Sequence, residues 1–143
     1  MIACMSCERQ VPYAVMNYRT LVKEDFFFVD HTRYLRELEK YQTPVFLRLK
    51  RFGKSLWVSM LEHYYDVRFK DQFRELFGKT EIGRNPTPRA NSFLVLSLDF
   101  STITLGTLAE IERSFTTKLR REVEVVIVEV AGNRGYNWHT LQA

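Results

Sequence analysis

Apolar residues recur along this chain in two rhythms. From Arg33 to Tyr41 they fall at Tyr34, Leu35, Leu38 and Tyr41, three and four apart with charges between them, which predicts an amphipathic helix. The same spacing at Leu56, Trp57, Met60, Leu61, Tyr64 and Tyr65 predicts a longer one from about Lys54 to Tyr65, with Trp57, Met60, Leu61 and Tyr64 as core. Phe69, Phe73, Leu76 and Phe77 mark a shorter helix ended by Gly78, and Leu108 to Arg121 is helical again. Between these lie continuous apolar runs. Phe26 to Val29, Val45 to Leu47, Ser92 to Asp99 and Val123 to Val130 are strand candidates, the last rich in valine. Lys79 to Asn91, holding Gly83, Pro86 and Pro88, reads as a surface loop. Alternating strands and helices predict an α/β domain with a mainly parallel sheet and flanking helices; there is no internal repeat.

Composition narrows the class. A chain of 143 residues with 45% hydrophobic and 14% aromatic content suits one domain with a buried core and excludes wholesale disorder. We expect a flexible terminus over 1–12, a domain over 13–131 and a tail over 132–143. No apolar run approaches a membrane span, and Glu8 and Arg9 interrupt any leader, so a cytoplasmic protein with no membrane partner is expected. The net charge of +4 comes from scattered bases accompanied by acids, a weak sign of nucleic acid. Cys4 and Cys7 form a C-x-x-C without a preceding strand or further metal ligands in reach, since His31, His63 and His139 are dispersed.

One segment carries chemistry. Arg48-Leu49-Lys50-Arg51-Phe52-Gly53-Lys54-Ser55 sits between a strand candidate and a helix and ends in Gly-Lys-Ser, the second half of a phosphate-binding P-loop. Gly53 permits close backbone approach, the helix N-terminus offers amides, Lys54 reaches the β- and γ-phosphates, and the Ser55 hydroxyl takes magnesium. The expected nucleotide contacts are Lys50, Arg51, Phe52, Gly53, Lys54, Ser55 and Leu56, with ATP and Mg²⁺ as cofactors and Ser55 as the metal ligand. The full motif would have glycine where Arg48 stands.

Three blocks in order, Phe28-Val29-Asp30-His31-Thr32, then Phe46 through Leu56, then Leu98-Asp99-Phe100-Ser101, resemble the bacterial AAA-ATPase-like family. Its members read "VDKT", "RPRRFGKSL" and "LDFS" at these places and lack the first P-loop glycine. This chain departs at His31 for lysine, Leu49 for proline and Lys50 for arginine. The resemblance covers roughly 13 to 115 and implies a P-loop NTPase, often fused to a PD-(D/E)XK nuclease-like domain. It also implies an acidic "IDEYD"-like Walker B strand, which does not follow here. The expectation is therefore a truncated N-terminal portion that binds ATP and hydrolyses it poorly by itself, and whose incomplete sheet leaves an unpaired edge prone to self-association.

Other residues admit two readings. Asp99, at the end of an apolar run, has the position of a Walker B acid, whereas the resemblance puts it on the neighbouring strand, and we prefer the latter. Asp30 and Thr32 could line a base or ribose, but residues of this kind before a helix are more often caps. Arg48, Lys50 and Arg51 could neutralise phosphate. The rival function is a small basic module that binds nucleic acid through Arg48 to Lys54 and Arg113 to Arg121 without nucleotide chemistry.

Overall fold

The computed structural model describes residues 10–47, 49, 52–103 and 106–134. They form six α-helices: α1 (Tyr18–Lys23), α2 (Tyr34–Leu38), α3 (Lys54–Tyr65), α4 (Phe73–Phe77), α5 (Glu81–Arg84) and α6 (Leu108–Arg134), with 3₁₀ turns at Val67–Gln72 and Phe100–Thr102. The chain divides into two compact units, Met1–Phe93 and Leu94–Ala143. Among the described residues no helix is long and apolar enough to cross a membrane.

The parallel sheet expected from the sequence is absent from the described residues, and the architecture there is mainly helical. Pairing is reduced to isolated contacts: a parallel bridge between Asp66 and Phe93, and Phe27 N–H donating to Gln10 O at 2.8 Å. The P-loop NTPase-like sheet with an unpaired edge is corrected accordingly. Phe26–Val29 and Val45–Leu47 belong to no regular element and carry no ladder, because four or three residues gain too few hydrogen bonds to offset the ordering of a distant partner strand. The valine run from Val123 is helical. It follows Leu119, Arg120, Arg121 and Glu122, all strong helix formers, and a β-branched residue in a helix costs only a few tenths of a kcal/mol, roughly 0.5 each.

The first unit is built around α3, whose bounds match those read from the sequence. Met60 and Tyr64 on its inner face join Tyr18, Leu35, Leu76, Phe77 and Ile82 in one buried cluster. Aromatic contacts lock it: Tyr18 stacks on Phe77 at 5.0 Å between centroids, and Tyr64 meets Phe77 edge-on at 5.4 Å. The Tyr18 amide donates to Ser59 Oγ and its phenol to Leu76 O, both at 3.0 Å, so α1 is tied to α3 and α4 by its first residue. Burial, with Asp30 nearby, pushes the Tyr18 phenol far above its ordinary pKa, so it remains a donor.

Both ends of α3 explain its length. Its last carbonyls are taken by the segment after the 81–84 helix: Asn91 N–H donates to Tyr64 O at 2.8 Å, Phe93 N–H to Tyr65 O at 3.0 Å, and Asn91 Nδ2 to His63 O and Asp66 O. Asn91 does this at φ 47°, a backbone region asparagine tolerates better than most residues. His63 is buried, donates Nδ1–H to Ser59 O at 2.7 Å and stacks on Phe69, a core role. Asp66 is fully buried and accepts from the Arg68 amide and guanidinium.

Candidate functional site

The N-terminal end of α3 has the geometry of an anion site. Gly53 caps it at φ 71°, ψ 20°, the left-handed region open to glycine, and nothing lies within 4 Å of where a Cβ would stand. Trp57 N–H donates to Gly53 O at 2.9 Å and opens the helical ladder. Among the described residues no side-chain hydrogen bond caps this end, and no acid stands in the first turn. The partial positive charge of the helix terminus thus adds to that of the Lys54 cation. Lys54 and Ser55 are exposed, Phe52 is exposed just ahead of them, and Leu56 is half-buried against the core. Arg48, Lys50 and Arg51 lie outside the described residues, as do Cys4, Cys7 and His139.

Beside Gly53 opens a cavity of about 880 Å³ whose walls include Tyr34, Tyr41, Phe46, Phe52 and Trp57. Phe46 stacks on Trp57 at 6.0 Å and 24°. The indole N–H of Trp57 is buried and meets no acceptor among the described residues. His31 lines the cavity and makes its ring contact with Tyr34 at 6.1 Å. The helical spacing of Trp57 marks it as core and it does pack on the core, but it is also a wall of this cavity. Tyr34, Tyr41 and Phe46 cannot be read from the sequence as cavity residues, since an exposed aromatic carries no signal of the concavity it borders.

Asp30 and Thr32 turn away from the cavity. Asp30 Oδ1 accepts from the Thr32 amide and hydroxyl, while Oδ2 accepts from the Glu81 amide at 2.7 Å. The fully buried Thr32 hydroxyl oxygen accepts from the Ile82 amide at 3.1 Å. They are caps, as the commoner reading had it, but they cap α5, some fifty positions away, whereas no side chain caps α2. Burial raises the Asp30 carboxyl, and the hydrogen bonds from Thr32 and Glu81 outweigh that and hold it below its ordinary pKa of 3.8. A Cβ on Gly83 in α5 would collide with the Phe77 carbonyl, so glycine is what lets this short helix seat.

Asp99 is not at the end of a strand. It belongs to the second unit, is exposed, and caps the 3₁₀ turn by accepting from Ser101 N–H at 2.9 Å, a bond that holds its carboxyl below the ordinary range. Both strand placements considered for it are corrected. In α6, Glu110 accepts from the Thr107 amide and hydroxyl, and Arg113, Lys118 and Arg121 share a face with Glu110 and Glu122 rather than forming a purely basic one. Among the described residues no group of three or more His, Cys, Asp or Glu could hold a metal ion.

A family model described as "Predicted AAA-ATPase" matches residues 12–140. No curated protein and no solved structure matches the chain.

Proposed function

The chain belongs to the predicted AAA-ATPase-like family, and from that premise we propose that it binds ATP through Gly53, Lys54 and Ser55 at the N-terminus of α3. The observation that carries this is the left-handed Gly53 set directly before a helix that begins Lys-Ser. These residues fit a polyphosphate. Open space at Gly53 admits it, the first-turn amides and the Lys54 ammonium supply donors and charge, and the Ser55 hydroxyl is a hard oxygen ligand suited to Mg²⁺. Magnesium, when bound, would screen charge between the phosphates. With no acidic cluster among the described residues, phosphate oxygens and water would supply most of its ligands.

Lys54 orients and neutralises the phosphates; Gly53 keeps the approach open. Neither activates water, and the sequence offers no Asp-Glu run of the kind that would position it. Binding with negligible turnover is the activity proposed. Titration calorimetry with ATP and Mg²⁺ tests it. Lys54→Ala should lower affinity at least tenfold, the loss expected when a charge-assisted contact worth about 1.5–3 kcal/mol is removed. Ser55→Ala should chiefly reduce the dependence on magnesium. An alanine variant at Lys54 that binds like the parent rejects the site.

A further inference from the structure

Helix α6 carries an apolar stripe that its own unit leaves largely uncovered. Leu108, Ile111, Phe115, Leu119, Val123 and Val126 recur three and four apart, and a helix of 27 residues gains most of its stability from packing such a stripe. Among the described residues of the second unit none is buried. Phe115 is 40% exposed although Phe100 stacks on it at 5.8 Å, and Val123 is 36% exposed. A unit this small seldom holds a core by itself, and joining a second copy is an ordinary remedy. Five acids balance five bases along the helix, so no net charge favours a nucleic acid or an anionic membrane instead. The charges beside the stripe fit the helix to itself. Lys118 and Glu122, both half-buried, stand on one flank a turn apart. Laid parallel, two copies of α6 would set Lys118 against Lys118 and Glu122 against Glu122. Laid antiparallel about a twofold axis between Arg120 and Arg121, each Lys118 comes within about one residue of facing Glu122 of the other copy. Phe115 and Leu119 come equally close to facing Val126 and Val123 across the seam.

We propose that the chain pairs with a second copy of itself through α6, the two helices antiparallel, with Phe115, Leu119, Val123 and Val126 forming the seam and Lys118 and Glu122 setting its direction. The apolar seam supplies the attraction, whereas flanking charges of this kind choose orientation more than they add affinity. The pairing is independent of the nucleotide reading, since neither Gly53, Lys54 nor Ser55 takes part in it.

Sedimentation equilibrium of the full chain at micromolar concentration tests it. The parent is expected at twice the mass of one chain, and Leu119→Asp at the mass of one, with near-ultraviolet dichroism showing that the aromatic core of the first unit is intact. Lys118→Glu and Glu122→Lys each put like charges together at two places along the seam, and each should weaken the dimer about tenfold. An equimolar mixture of these two variants should recover the parent's affinity to within about threefold, because the mixed pair again has opposite charges at both places. Neither residue is fully buried, so the charge variants decide the matter even where Leu119→Asp fails to fold. A parent that stays monomeric overturns the proposal. So does a dimer that a folded Leu119→Asp leaves intact, which would place the contact on another surface. Single charge variants that associate as tightly as the parent, or a mixture no tighter than either variant, overturn the antiparallel pairing and the proposal with it.

Discussion

Single residues divide into those the backbone demands and those that chemistry could use, and Gly53 is both. Its left-handed φ of 71° would cost a side chain about 1–2 kcal/mol, while the empty surroundings of its Cβ position add no clash. Gly53→Ala is therefore expected to lose about that much in chemical denaturation, with no change in the cooperativity of the transition. A much larger loss would mean that the loop packs more tightly than the structure has it. Asp30 carries a pH signature. Its carboxyl is held below 3.8 in the folded state, so its contribution is complete above that ordinary value and is lost as the pH falls through the folded one. Stability measured across this acid range should fall for the parent, and Asp30→Asn should be less stable near neutrality and show a shallower acid limb. Equal acid limbs for the two would assign the acid sensitivity elsewhere.

At the scale of elements, the helices the sequence disclosed were those with a three-and-four rhythm: α3 at its full length, α2 and α4 inside somewhat longer expected spans, and the start of α6. Helix α1 went unread although Asn17 caps it by accepting from Thr20 N–H and Tyr18, Leu21 and Val22 repeat at helical spacing, because six residues offer too short a period to stand out. The short α5 was harder to read: Thr80 caps the Gly83 amide locally, but the Glu81 and Ile82 amides are satisfied by Asp30 and Thr32, partners that no local window contains. The apolar runs misled because a continuous run describes burial or extension and says nothing about whether a partner strand exists. The Gly-Lys-Ser of the proposed phosphate site can be read from the sequence, whereas the aromatic cavity beside it cannot, since Tyr34, Phe46 and Trp57 meet only through tertiary packing. The termination of α3 is likewise non-local. Asn91→Ala removes two side-chain bonds to carbonyls of His63 and Asp66 at a strained backbone position, and should cost about 1–3 kcal/mol. Asn91→Gly, which relieves the strain while losing the same bonds, should lie between that variant and the parent in thermal melting; a ranking below alanine would place the effect in the unfolded chain.

For the whole molecule, the core residues Tyr18, Leu35, Met60, Tyr64, Leu76, Phe77 and Ile82 all fall within the first unit, which ends at Phe93. A fragment spanning 1–93 should fold by itself, with near-ultraviolet dichroism from its aromatic cluster and a melting temperature within a few degrees of the same transition in the full chain, a difference of about 1 kcal/mol or less. A fragment lacking that signal would mean the first unit depends on residues beyond Phe93. Within this unit, three consecutive residues divide two duties. Asp30 and Thr32 are committed to the amides of Glu81 and Ile82, and His31 between them faces the cavity. The outer two positions answer to the scaffold, and the middle one lines the cavity wall. Substitution at residue 31 should therefore alter that wall without loosening the frame, and it is there that the resemblance read from the sequence has this chain departing, with histidine for lysine. Two fixed posts with an exchangeable panel between them give the site room to diverge while the fold stays put.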